Sequence, residues 1–153
     1  MKAMKKALLI LLGCIPFLIG WLINAFMMAN PDTLPPLFFI SIVFLLAWGA
    51  VAFIARPHFH NGKEVVVFLN FVAALDLLLV CIQEIILGAY WMNAIGGWTQ
   101  FYYLPLMNIG FTLTAWSHRV FTAYIASFIL MVAVSTLGCW LGKRKGGRQG
   151  NDA

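Results

Sequence analysis

Four stretches of this chain run for 18 to 25 residues with almost no charge: Ala7–Ala29, Leu37–Ile54, Val65–Ala89 and Val120–Gly142. A hydrocarbon layer about 30 Å thick is crossed by about 20 residues at the helical rise. Inside such a layer, only a helix or a closed barrel satisfies its own backbone hydrogen bonds. The pattern therefore predicts an all-α integral membrane protein with four transmembrane helices in a bundle. Composition agrees. Of the 153 residues, 63% are hydrophobic and 10% charged, against roughly 45–50% and about 25% in soluble domains. A soluble fold of this size has too little interior to hide that much apolar surface.

The formal net charge is +5, but its placement excludes a nucleic-acid binder. Lys2, Lys5, Lys6, Lys143, Arg144, Lys145 and Arg148 stand at the two ends, just outside apolar runs. That is how topology-setting charges are arranged, and no basic groove with interleaved aromatics occurs. With four spans, nine Lys/Arg fall on one side and Arg119 alone on the other. That asymmetry puts both termini in the cytoplasm, with the plasma membrane of a bacterium as the expected location. The opening "MKAMKKALLILLGC" imitates a lipoprotein signal ending at Cys14. Its apolar run nevertheless continues for fifteen more residues to Ala29, so it is read as the first span. Cys14, Cys81 and Cys139 are isolated, with no CxxC pair, and are expected to act as small buried hydrophobes.

The connections carry turn chemistry. "NPDTLPP" (Asn30–Pro36) joins the first two spans, and "ARPHFHNGKE" (Ala55–Glu64) the next two, with prolines that end helices and an Asn-Gly turn. Residues 90–117, by contrast, form a long uncharged linker. Its second half, Phe101–Trp116, imitates a fifth span. A fifth crossing would divide the Lys/Arg six to four, and Pro105 and Gly110 break the run. The linker is therefore expected to be an outer segment, interfacial or re-entrant, with Tyr90, Trp91, Trp98, Tyr102, Tyr103 and Trp116 at the headgroup level. Residues 1–142 form one domain, and 143–153 a short basic cytoplasmic tail. Pro16 and Gly20 suggest a kink in the first span. Gly138-x-x-x-Gly142 suits close helix packing in the fourth.

The third span poses the functional question. Asp76 is twelfth of its 25 residues, a depth at which a carboxylate costs roughly 2.5–3.5 kcal/mol. On a helical wheel Gln83 shares its direction to within about 20°, and Asn70 and Glu84 form a neighbouring line. These groups should face other helices. With no cation at its depth, Asp76 is expected as a neutral acid seeking hydrogen bonds from Asn24, Ser41, Trp48, Ser127 or Ser135. Near the outer end, Glu84 is placed to meet Arg119, with His118 beside it. The candidate ion- or ligand-binding residues are thus Asp76, Gln83, Glu84, His118 and Arg119. His58 and His60 supply too few ligands for a metal, and no cofactor motif or hydrolase triad occurs, so no metal or cofactor is expected.

Three functions fit, in this order. The first is a non-enzymatic accessory, regulatory or protective module that packs against another membrane protein or a second copy of itself. The second is a small transporter or proton/cation-linked permeation component using Asp76 and Glu84. The third is a lipid-headgroup enzyme with Glu84 and His118 as acid and base and Arg119 as anion holder. The partners expected are the lipid bilayer and a homo-oligomer or larger membrane protein, with no nucleic acid.

Overall fold

A computed structural model of the chain describes residues 2–89, 94–117 and 119–148, and among these residues it contains helices and no strands. Helices α1 (Lys2–Leu12) and α2 (Ile15–Ala29) are two parts of the first apolar run. They are followed by α3 (Leu37–Ala55), which ends in a single tight turn at Arg56–His58. Helices α4 (Gly62–Leu69) and α5 (Phe71–Cys81) make up most of the third run, and Ile82–Leu87 continue α5 in a wider π turn. Helices α6 (Ala94–Tyr103) and α7 (Met107–Leu113) flank a turn at Leu104–Leu106, and α8 (Val120–Arg148) closes the chain. Three helical stretches, Ala3–Ala29, Leu37–His58 and Val120–Lys143, are long and apolar enough to cross a membrane. A fourth is reached if α4 and the stretch Phe71–Leu87, bent by 46°, count as one span.

The bends agree with the sequence in the first run and depart from it in the third. The first run breaks at Gly13–Cys14, just ahead of Pro16 as the proline suggested, while Gly20 lies within α2. Pro16 has no N–H to give. The amide of Phe17 bonds Cys14 instead of Gly13 (3.1 Å), so the Gly13 carbonyl is left without its usual helical donor. The third run, expected to be one helix, turns at Asn70. A methyl group on Gly13 would sit 2.9 Å from the Leu69 carbonyl, so the two breaks lie against each other.

The linker is corrected too. Its aromatic residues are not one headgroup belt. Trp98 and Trp116 are exposed (65% and 79%), but Tyr102 and Tyr103 are fully buried; Tyr90 and Trp91 lie outside the described residues. The bent segment α6–α7 is wedged into the helix assembly, α6 against α2 and α7 against α8, with its Leu104–Leu106 turn on α3. Gly20 is what allows this approach: any side chain there would collide with the carbonyl of Phe101. On the opposite side, Gly138 and Gly142 of α8 press on the backbone of α3 at Gly49 and Phe53. The Gly-x-x-x-Gly motif is thus used within the chain, and α3 with α8 forms its most extensive helix pair.

The cations gather at one end. Lys6 pairs with Glu64 (3.7 Å), and Lys5 shares a cleft with His58. Arg56, Lys63 and Lys143 share another.

Two glycines provide opposite tests of this packing. Gly20→Ala must push α6 off α2 and is expected to lose about 1–3 kcal/mol, the usual cost of overpacking. Gly97→Ala, with nothing within 4 Å of its new methyl group, gains helix propensity of up to about 1 kcal/mol. Thermal unfolding in detergent should move down for the first and hold or rise for the second.

Candidate functional site

The two helix breaks and the buried tyrosines build one polar centre. Tyr102 Oη donates to the open Gly13 carbonyl (2.9 Å), and Tyr103 Oη donates to the Ala73 carbonyl of α5 (2.7 Å). The rings stack edge to face in a row, Phe17 to Tyr102 to Tyr103 to Tyr124. One segment of the linker therefore supplies a donor to each of the two broken runs. Two adjacent tyrosines can do this because each presents an apolar ring to the helices and one polar atom at its tip.

Asn70, at the second break, is satisfied on every side. Its Oδ1 accepts from Trp48 Nε1 (3.1 Å), and its Nδ2 donates to the Val66 carbonyl (2.9 Å) and to Ser135 Oγ (2.9 Å). A single amide thus ties α3, α4 and α8 together. Farther along, Gln83 Nε2 donates to Thr99 Oγ1 (3.3 Å), and Thr99 Oγ1 donates to the Gly96 carbonyl (2.8 Å). This links the π turn to α6. Ser41 donates to the Pro105 carbonyl (2.7 Å) at the linker's turn, while the Ser127 hydroxyl, 3.4 Å from the Leu106 carbonyl, makes its shorter bond to Ala123 in its own helix (2.8 Å).

Asp76 stands among these groups and differs from them. It is 3% exposed, and among the described residues its Oδ2 is the one buried side-chain nitrogen or oxygen without a hydrogen-bond partner. Tyr102, Tyr103 and Tyr124 are within electrostatic reach of its carboxyl group. Two of those phenols give their protons to backbone carbonyls instead. Four of the five neighbours expected for Asp76, all but Asn24, bond other groups: Trp48 and Ser135 with Asn70, and Ser41 and Ser127 with backbone carbonyls. The carboxyl is thus enclosed by groups able to polarise it, while one of its oxygens stays open.

The outer cluster does not assemble as the sequence suggested. Glu84 is half-buried in the π turn and Arg119 is exposed, and the single ion pair among the described residues is Lys6–Glu64. The backbone N–H of Arg119 donates to Ser117 Oγ (3.3 Å). His118 lies outside the described residues. Of the five candidates, Asp76 and Gln83 are buried together on one side of the third run, whereas Glu84 and Arg119 stand apart. Sequence reasoning missed Tyr102 and Tyr103 as interior residues. The signal available was Pro16, since a proline disrupts the helical ladder around it and leaves carbonyls that other donors have to meet.

Compared with protein-family models, with curated proteins and with solved structures, the chain matches none.

Removing a satisfied staple should cost more than removing one hydroxyl from a shared carbonyl. Asn70→Ala leaves the Trp48 N–H buried and unpaired, and is expected to lose about 1–3 kcal/mol. Tyr103→Phe deletes one interhelical bond worth about 0.6 kcal/mol. Unfolding of the two variants in mixed micelles gives the comparison; equal losses would count against the Asn70 network as the main tie.

Proposed function

We propose that this chain is a four-span protein of the cell membrane, both termini cytoplasmic, whose working residue is Asp76, a proton- or cation-linked acid in a small transport or permeation component. The observation that carries this reading is the open Oδ2 of a buried carboxyl group, on the bent third run just beyond its turn at Asn70. An intramembrane acid is costly and is retained where it serves an ion or substrate path. Broken helices near the middle of a bundle are likewise where transporters bind their coupling ions. A carboxyl group suits the role because it can exchange a proton, or a proton for a cation, without moving the backbone. The neighbouring tyrosines anchor the walls, and Gln83 with Thr99 ties the wall on the Glu84 side. A π turn at Gln83 and Glu84 also fits, since such turns recur at functional sites.

A second reading is the non-enzymatic module packed against another membrane protein or a second copy. It is favoured by the polar side chains around Asp76, which are engaged in holding this chain's own helices together. The two readings separate in reconstituted liposomes carrying a pH gradient. Transport requires that the wild-type chain dissipate the gradient, and that Asp76→Asn, nearly the same size, reduce the rate at least about tenfold while inserting and melting normally. If wild-type liposomes hold the gradient as well as empty ones, with Na⁺ or K⁺ present on either side, the transport reading falls and the module reading stands.

A further inference from the structure

We propose that the cleft between α4 and α8 at the cationic end is a binding site for the headgroup of an anionic phospholipid. The cleft has a volume of about 590 Å³, and Arg56, Lys63 and Lys143 converge on it together with Asn61, Thr136 and Trp140. Val66 and Val67 continue the lining as an apolar wall. Cations above an apolar channel are what a phosphodiester on an acyl chain requires, and basic pockets between helices on the cytoplasmic side recognise such headgroups.

The local structure prepares the site. Asn61 caps α4, its Oδ1 accepting the Lys63 amide (3.1 Å), so the first turn of α4 directs its positive end to the same cleft. Arg56 is clamped by two glycines. A methyl group on Gly62 would lie 3.2 Å from Arg56 Nε, and one on Gly142 would lie 3.0 Å from its Cβ. The guanidinium is steadied further by Nη1 donating to the Phe59 carbonyl (2.8 Å). A fixed guanidinium presents its remaining N–H groups in a fork that matches two phosphate oxygens. Lys63 and Lys143 are exposed and free to close over the charge. Glu64, the nearest carboxylate in sequence, is held by Lys6 and does not line the cleft. Trp140, about half exposed, stands where an indole sits at the boundary between headgroups and acyl chains. This assignment does not depend on Asp76, so it stands or falls separately from the flux measurement.

The test is native mass spectrometry of the full chain released from nanodiscs containing equal amounts of phosphatidylglycerol and phosphatidylcholine with identical acyl chains. The wild-type chain should retain phosphatidylglycerol in preference. The double variant Lys63→Gln/Lys143→Gln, at two exposed positions that leave the packed Arg56 in place, should lose roughly 20-fold of that preference. Lys2→Gln/Lys5→Gln, which removes two charges from α1 and leaves Lys6 on Glu64, should keep the preference within about twofold. Equal retention of the two lipids by the wild type, or equal losses in the two double variants, would overturn the site. So would displacement of the lipid by millimolar inorganic phosphate, which would assign the cleft to a free anion.

Discussion

A backbone carbonyl without a donor is tolerable in water and expensive in hydrocarbon, and this fold is organised around two places where helices are interrupted. Pro16 removes one amide and diverts the next, which opens the Gly13 carbonyl. The turn at Asn70 interrupts the third run beside it. An open carbonyl in an apolar layer needs another donor. Tyr102 meets the Gly13 carbonyl from the linker. At Asn70 the backbone N–H and carbonyl keep their own helical bonds, and the side-chain amide draws in Trp48 and Ser135 from α3 and α8. The linker is buried for this reason. Once Tyr102 has to reach Gly13, α6 must lie on α2, and Gly20 must have no side chain.

The same constraint sets Asp76 apart. Polar residues used as staples show it by their geometry: Asn70 places both its oxygen and its nitrogen on partners across the helices. A buried carboxyl kept only to hold helices together would be expected to do likewise, because an unmet oxygen costs more than the bond it omits would supply. Near Asp76, the Tyr102 and Tyr103 hydroxyls are committed to backbone carbonyls, and its Oδ2 is left without a partner. Replacing Asp76 with the near-isosteric asparagine would remove the acid and leave those bonds intact.

Some of this was legible in the sequence and some was not, for physical reasons. Long apolar runs report themselves because the thickness of a bilayer demands them, so the helices at Leu37–His58 and Val120–Lys143 follow the expected limits closely. The shared side of Asp76 and Gln83 follows from helical periodicity, and the packing use of Gly138 and Gly142 from their spacing. The bend at Asn70 was hidden. An asparagine inside an apolar helix looks the same in sequence whether it bonds a neighbour from an intact helix or occupies a break. The tyrosines were misread because an amphipathic ring suits two environments equally, the headgroup layer and an interior with a spare carbonyl. Only Pro16 distinguished them, and it lies 86 residues before Tyr102.

The wedge also bears on how so small a chain can hold an acid at its centre. Four helices alone leave a carboxyl group on α5 facing either lipid or an open seam. With α6 and α7 inserted, the seam beside α5 is filled by Tyr102, Tyr103 and Leu106, all nearly inaccessible, and the Ser41 hydroxyl fastens the insertion at its turn. The enclosure therefore depends on a segment without a continuous span of its own, held by its packing on α2 and α8 together with side-chain bonds to backbone carbonyls. Such bonds are individually weak, near 0.6 kcal/mol in membrane proteins. The packing of α6 on α2 at Gly20 and of α7 on α8 therefore carries most of the wall that encloses Asp76.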